Sequence, residues 1–587
     1  MRYGYSGYER QEFFNIDFFN GIKHEYFEDM QQAYLWLYKM ILQYNHITVI
    51  MHNMSYDAQI MGLIDFVVRK RFYDLELKQA ITSGIFYLKF QDKNRHRTIE
   101  FLDTYNYFKY SVEKMGLSLG LKKQIDDYSL SPNKWNIKLK DGMGKERVKL
   151  DTEILYKYFM RFINNDKFVI GLSLASTSFK TYRKKYQKLV ISHPLDKIDS
   201  SLASYRGGRC EPYIINKEAI HLKSYDINSL YPYVLRNNKY SYKFHRLIDR
   251  IDFEAIEKND YNYLYNVDYS YAEKPERLPI MVKSSDGMLT QSYTANNVWL
   301  TGQEILAMYK QSDSIMFRFH SGQEWHSDFL FTDFIDDFYN MRLKADIIEG
   351  KMLKDVMNSN YGKWAQHKRQ SQILALSDID ALTLSILMDI ENENKRIINV
   401  NGITYNRHGD YFTVSKEMNK ESMYSPIIGS ECTANARLVN FDYQQQIGFK
   451  HVYYTDTDSF FIDREWTTSK ELGKLKLEKQ GMFFIFDAKD YQYTDNKGII
   501  YATHKGITKK AKKWNVELVD KYNQEHNTQY EEIYTQKQFS GFNTVGHNAM
   551  NVIVKDIDKK VKREHRKLNY EKNDYGNLIG KPFEKLP

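Results

Sequence analysis

The segment YTDTDSFF, residues 454–461, constrains this chain more than any other stretch. It sets Asp456 and Asp458 one residue apart and surrounds them with Val452, Tyr453, Phe460, Phe461 and Ile462. On a strand, residues i and i+2 share a face, so both carboxylates can address one point. Two carboxylates confined at the end of a buried strand repel each other, and a divalent cation between them makes the arrangement favourable. Asp-Thr-Asp is also good turn chemistry, so a solvated hairpin turn accounts for the same letters.

Two further segments carry the same kind of chemistry. In YDINSLYP, 225–232, a strand delivers Asp226 at its end, and Ser229, Leu230, Tyr231 and Pro232 turn sharply away. An acid at a strand end followed by exposed backbone amides can hold a metal and cradle a triphosphate. Tyr231 would then lie beneath a nucleotide sugar, where its ring excludes a 2′-OH. The plain alternative is a strand-ending Asp and a core Tyr. In KMLKDVMNSNYGKW, 351–364, Lys354, Asn358 and Tyr361 fall on one helical face, with Lys351 one turn back and Gly362 near the end. That face offers cations, an amide and a ring. A surface helix with solvated lysines is the alternative.

Composition excludes several classes. The 587 residues allow about three to five domains. Mean hydropathy is -0.62, and no stretch reaches the ~20 apolar residues of a spanning helix. MRYGYSGYER lacks the apolar core of a signal peptide. Two cysteines, Cys210 and Cys432, rule out a disulfide scaffold and a four-Cys zinc module, and suit a reducing compartment. A net charge of +9 with 48 Tyr and 34 Phe suits a nucleic-acid surface, where bases stack and phosphates need cations. AT-rich codon bias produces the same composition. The basic run DIDKKVKREHRK, 556–567, reads either as a solvated helix face or as a DNA contact.

Periodicity predicts strands at 46–53 and from 98, a helix over 151–163, and a boundary at about 189–201. It then predicts strand, turn and helix over 220–234, one long helical pattern over 331–362, and a helix over 431–449 leading into the strand at 451–462.

Together the three segments resemble motifs A, B and C of family B DNA polymerases: DxxSLYP, KxxxNSxYG and YxDTDS, in that order. YRGGR, 205–209, resembles the YxGG motif between exonuclease and polymerase domains, and KDY, 489–491, the KxY motif at the primer terminus. HNMSYD, 52–57, resembles Exo II, DTYNYF, 103–108, the single-strand-binding segment, and LKKQID, 121–126, a later basic element. Compact spacing from YRGG through motif C resembles the protein-primed branch of phages, adenoviruses and linear plasmids.

The resemblance implies an α+β / α/β multidomain fold, with an RNase H-like 3′–5′ exonuclease-type domain and a right-hand polymerase of palm, fingers and thumb. The implied division is an exonuclease-like domain at 1–188, a linker with YxGG and the first palm part at 189–250, and an insertion at 251–330. Fingers at 331–365, a second insertion at 366–424, palm at 425–500 and thumb at 501–587 follow. The insertions would contact a terminal protein and enclose the template.

The implied activity is DNA-directed DNA synthesis by two-metal nucleotidyl transfer. Asp226, Asp456 and Asp458 would be catalytic, with Asp226 and Asp458 holding two Mg²⁺ ions, for which Mn²⁺ can substitute. Leu230, Tyr231, Arg342, Lys354, Asn358 and Tyr361 would bind the nucleotide. Tyr205, Gly207, Gly208, Lys489, Tyr491, Thr104, Phe108 and Lys122 would bind DNA. Expected partners are template-primer DNA, dNTPs and a terminal protein primer. The expected protein is a monomer without membrane attachment, in a host cytoplasm or, for a linear plasmid, an organelle. A nucleic-acid-primed family B polymerase and a non-catalytic replication scaffold are the competing readings.

One departure stands out. No Exo I DxE precedes Exo II, and Arg147 stands where a Tyr is expected four residues before Asp151. Asn53, Tyr56, Asp57 and Asp151 form the remnant of that site. The expectation is an impaired exonuclease whose sheet lacks a central strand, through truncation, a start-site error or natural loss.

Overall fold

The computed structural model describes residues 16–585 apart from 55–57, 59–61, 82–84, 122–142, 217, 286, 367–368, 376–378, 392–396, 401–402, 409–410, 418–423, 508–511, 527, 540–553 and 562–568. Strand Ile220–Ile227, which carries Asp226, lies at the centre of a seven-stranded antiparallel sheet. Ser459–Ile462, Val452–Asp456 and Cys210–Pro212 follow on one side, and Leu475–Asp487, Asp490–Thr494 and Ile500–Thr503 on the other. From Leu222 to Ile227 the central strand is buried at every position but Lys223, because both of its faces are covered. Helix Pro426–Ile447, starting with Pro at its first turn, is buried over most of its length beside this sheet.

The long helical pattern at 331–362 is two helices, Thr332–Lys344 and Ile347–Trp364, packed on each other. Ala345 is extended, and Asp346 caps the second helix by accepting from the amides of Ile348 and Glu349. The expected single helix fails there because a cap ends one ladder and starts another.

The exonuclease-like unit has a five-stranded sheet, in the order His46–Met51, Thr98–Asp103, Tyr87–Gln91, Leu75–Ile81 and Arg71–Phe72. His46–Met51 pairs in parallel with Thr98–Asp103 and is the edge strand among the described residues. A cavity of about 710 Å³ lies beside that edge, lined by Ile47, Val49 and Met51 and by Leu155, Phe159 and Ile163 of helix Met143–Ile163.

Two boundaries differ from expectation. Strand Tyr240–Ile248 belongs to the first inserted sheet, with Ile315–Asp328, Tyr261–Tyr271 and Thr294–Thr301, so that unit begins before 251. At the other end, hairpin Asn569–Lys572/Leu578–Lys581 pairs with Ile214–Ile215. Phe583 exchanges backbone hydrogen bonds with Gln291 and Tyr293. The last residues therefore return to the palm and the first insertion. The second insertion forms a four-stranded sheet of Arg369–Ala375, Tyr411–Glu417, Ile403–His408 and Ile397–Val400, against Leu75–Ile81. The described part of the basic run is strand Val554–Val561, not a helix face. No helix among the described residues is long and apolar enough to cross a membrane.

Candidate active site

Strands Val452–Asp456 and Ser459–Ile462 form a hairpin whose turn is Thr457–Asp458. Thr457 is left-handed, with φ of 60°, and its amide donates to the carbonyl of Arg209 at 2.6 Å. Asp458 therefore sits in the turn, and a shared strand face is not what aims it. The next strand does that. The amide of Ile227 donates to the carbonyl of Asp458 at 2.6 Å, and Asp226 is registered opposite Ser459. Asn440 supports the turn from the long helix, donating to Thr455 Oγ1 at 2.8 Å and the Thr457 carbonyl at 3.1 Å.

The buried Asp226 acts electrostatically on the partly buried Asp458. Burial pushes the Asp458 carboxyl up to about 7, with repulsion from Asp226 next and attraction from Lys354 opposing. Burial also raises Asp226, against the pull of Lys476, whose Nζ lies 3.0 Å from Asp226 Oδ2 and 2.9 Å from Glu478 Oε1. Asp456 is turned towards Lys489, whose Nζ is 3.6 Å from its Oδ1. Among the described residues no group of three or more His, Cys, Asp or Glu side chains forms a ready cage for an ion. The donor set fits Mg²⁺ in another way, because Mg²⁺ is commonly held by one or two carboxylates and completed by water and phosphate oxygens. Two repelling, desolvated carboxylates next to Lys354 form a site of that kind.

The nucleotide-side candidates converge above this pair. Ser229 is left-handed, with φ of 54°, and starts helix Leu230–Asn237. Arg342 Nη1 donates to Ser229 Oγ at 2.6 Å. Leu230 is fully buried. The rings of Tyr231 and Tyr361 stack, with centroids 4.5 Å apart. Lys354, Asn358 and Tyr361 share the half-buried face of Ile347–Trp364, and Lys351 is exposed.

The YRGGR loop presses on the Asp-Thr-Asp turn. A Cβ on Gly208 would lie 2.7 Å from Thr457 Oγ1, whereas one on Gly207 would meet only Leu289 at 3.8 Å. Tyr205 is half-buried against Gly429. Arg437 donates to the carbonyls of Arg206 and Gly207, both at 2.9 Å, and to Glu304 Oε1 at 2.8 Å. Lys489 is left-handed, with φ of 61°, and its amide donates to Tyr454 Oη at 2.9 Å. Tyr491 packs edge-on against Phe461, and Lys479 reaches its hydroxyl at 3.3 Å.

Sequence reading missed Lys476, Arg437 and Asn440. Lys476 and Glu478 left a signal, two charges alternating on a strand next to the central one. Arg437 and Asn440 left none, since their partners are remote in sequence.

The exonuclease remnant is placed only in part. Tyr56, Asp57 and Lys122 lie outside the described residues. Asn53 is left-handed, and its amide and that of Met54 donate to the two oxygens of Asp103 at 2.9 Å each. Asp151 is buried on Met143–Ile163. Two DNA-binding candidates need correction. Phe108 is a core ring packed edge-on against Tyr158 and Phe162, and Thr104 is buried, donating to the carbonyl of Met51 at 2.8 Å. Tyr105 is the exposed ring of that segment, with Lys109 Nζ 4.0 Å over it.

A carboxylate pair on an antiparallel palm, flanked by a cationic helix and preceded by an exonuclease-like unit, defines a right-hand polymerase fold. Residues 117–445 match the family DNA polymerase type B, organellar and viral, and the chain belongs to that family. It is 26% identical to a "Probable DNA polymerase" of Neurospora intermedia over 389 residues, covering 61% of this chain and 38% of that protein. It is 24% identical to the "DNA-directed DNA polymerase" of Enterobacteria phage PRD1 over 234 residues, covering 38% of each. The chain thus spans less than half the length of these curated relatives. Among solved structures, Phi29 DNA polymerase with primer-template DNA and incoming nucleotide aligns with a TM-score of 0.63 and 17% identity, over 92% of this chain and 94% of that one. The single-stranded DNA complex of the same enzyme aligns with a TM-score of 0.62.

Proposed function

We propose that this chain is a DNA-directed DNA polymerase that copies a DNA template by two-metal nucleotidyl transfer, in protein-primed replication of a viral or plasmid genome. The observation that carries the reading is the apposition of Asp226 and Asp458, closed by the bond from the Ile227 amide to the Asp458 carbonyl. Asp226 and Asp458 would hold two Mg²⁺ ions, or Mn²⁺, with Asp456 beside them. When bound, such ions lower the pKa of the primer 3′-hydroxyl and neutralise the triphosphate and departing pyrophosphate.

The chain's own groups do the rest. Lys354 pairs with the phosphates, and Arg342, held at Ser229, adds a second cation at the turn into Leu230–Asn237. Tyr361 and Asn358 bear on the base, and Tyr231 on the sugar. Lys489 and Tyr491 hold the primer end, and Tyr205, Gly207 and Gly208 pass the strand between the two units. Duplex binding is phosphate-dominated and weakens as salt rises.

Protein priming rests on the two inserted sheets, one before and one after the fingers helices in the chain, as surfaces for a terminal protein that presents a side-chain hydroxyl. The deciding experiment is primer extension on an oligonucleotide, in parallel with initiation on a terminal protein. Extension without initiation supports a nucleic-acid-primed polymerase. DNA binding with neither activity supports a scaffold.

A further inference from the structure

Helix Ile347–Trp364, which carries Lys354, Asn358 and Tyr361, is moored at both ends to the exonuclease-like unit. Towards its C-terminal end, Ser178 Oγ donates to the carbonyl of Val356 at 2.6 Å, and Asn360 Nδ2 donates to the same hydroxyl at 3.3 Å. Both groups are buried. At its N-terminal end, Arg161 of helix Met143–Ile163 donates to Glu349 Oε2 at 2.8 Å and lies 3.9 Å from Asp346. One turn on, Lys351 Nζ rests 5.0 Å over the ring of Tyr110. The half-exposed ion pair has the character of a releasable latch.

The state of the pocket indicates which arrangement the latch holds. Tyr231 and Tyr361 stack face to face, so the seat between them is filled by their own rings. A nucleotide base can lie on Tyr361 only after the rings part. Parting them moves either the turn at Ser229 or the helix, and the turn is held to the palm, where the amide of Asn228 donates to the carbonyl of Lys474 and the amide of Gly473 to the carbonyl of Asn228, both at 2.8 Å. The helix is therefore the element that shifts, against Arg161.

We propose that Arg161 is a positioning residue for nucleotide binding: its ion pair with Glu349 latches the helix in the nucleotide-free arrangement, so the exonuclease-like unit sets nucleotide affinity without taking part in the chemistry. The inference rests on the polymerase reading. An exposed ion pair contributes up to about 1 kcal/mol, so the latch is worth about two- to fivefold in affinity.

The test compares Arg161→Glu, Glu349→Arg and the double exchange with wild type. One readout is single-nucleotide incorporation, separating KM from kcat. The other is the Kd for the next dNTP on a dideoxy-terminated primer-template, which needs no turnover. Each single variant is expected to lower KM and Kd two- to fivefold with kcat within twofold. The double exchange should restore wild-type values, and the differences should fade at high salt as the pair is screened. Unchanged or raised KM and Kd in the single variants, or a double variant no different from the singles, would overturn the proposal. Wild-type protein that neither incorporates nor binds dNTP overturns the polymerase reading instead.

Discussion

Tyr231 and Tyr361 stack with ring planes 24° apart, which joins the sugar-side turn to the base-side helix in one contact. Tyr231 is partly buried, and burial raises its hydroxyl to about 12, so it meets a ligand as a neutral, rigid ring. Tyr231→Val should relax sugar selection, raising rNTP insertion relative to dNTP by about tenfold, in the range a single steric contact supplies. Steady-state insertion of matched rNTP and dNTP pairs measures it. An unchanged ratio would make Tyr231 a core residue only.

Asp226→Ala and Asp458→Ala should each abolish incorporation while leaving the fold and DNA binding nearly intact. A circular dichroism melt and a gel shift at fixed salt accompany the primer-extension assay. The same pair predicts a pH effect on the metal-free protein. Burial and Asp226 raise the Asp458 carboxyl from 3.8 to about 7. A group raised on folding favours the folded state below its unfolded value and loses that contribution as pH rises through the folded one. Metal-free Asp458→Asn should therefore be more stable than wild type at pH 8.5, by on the order of 1 kcal/mol, and the gap should close towards pH 4. Thermal melts in EDTA across that range decide it, and a gap that widens at low pH contradicts the burial of the pair.

The two loop glycines should behave differently. A Cβ at Gly208 would press on the Thr457 side chain and push the Asp456–Asp458 turn, while one at Gly207 has room. Gly208→Ala should lower kcat by about tenfold or more, as small misplacements of reacting groups do, with little change in Tm. Gly207→Ala should keep kcat within about threefold. Equal effects at both would mean that the loop does not hold the turn.

Much of this site was legible because strand and helix periods put Asp226, Lys354, Asn358 and Tyr361 where the pattern said. The turn at Thr457–Asp458 was not legible, since Asp-Thr-Asp suits a strand end and a turn equally. An aromatic among polar residues has the same signature whether it stacks on a base or fills a core, and Phe108 lies in the core. Tyr240–Ile248 went unplaced as part of an inserted sheet because its partner, Ile315–Asp328, lies far along the chain, and pairing over that separation leaves no local mark.

Glu431 ties the long palm helix to the first inserted sheet. It is buried and accepts from the Ser241 amide and from Asn262 Nδ2, both at 2.9 Å, and from the Ser241 hydroxyl. Burial raises its carboxyl from 4.5 to about 7. Glu431→Ala leaves buried donors unmet, so it should lower stability by about 1–3 kcal/mol. By the linkage that applies to Asp458, the loss should be larger at pH 5 than at pH 8.5, where the carboxylate is charged and disfavoured. Denaturant melts at the two pH values test both size and sign, and a larger loss at pH 8.5 would mean that Glu431 acts as a favourable charge.

The exonuclease should be weak. Hydrolysis by two metals needs carboxylates that serve both ions. Among the described residues, Asp103 accepts three backbone amides, from Asn53, Met54 and Tyr105, and so braces its loop. Asp17 is buried, with one oxygen bonded to His24 and to the Thr152 hydroxyl. Asp151 remains on its helix, and Asp57 is the other acid of the motif. Release of nucleotide from a 3′-labelled single strand in Mg²⁺ should be slow and nearly unaffected by Asp57→Ala. Retention of that strand should depend on Tyr105, whose exposed ring and neighbouring Lys109 offer a base-stacking face, so Tyr105→Ala should weaken binding by about 1–3 kcal/mol without changing the melt. Robust release that disappears in Asp57→Ala would mean that a further acid, Asp17 or Glu25, completes the site.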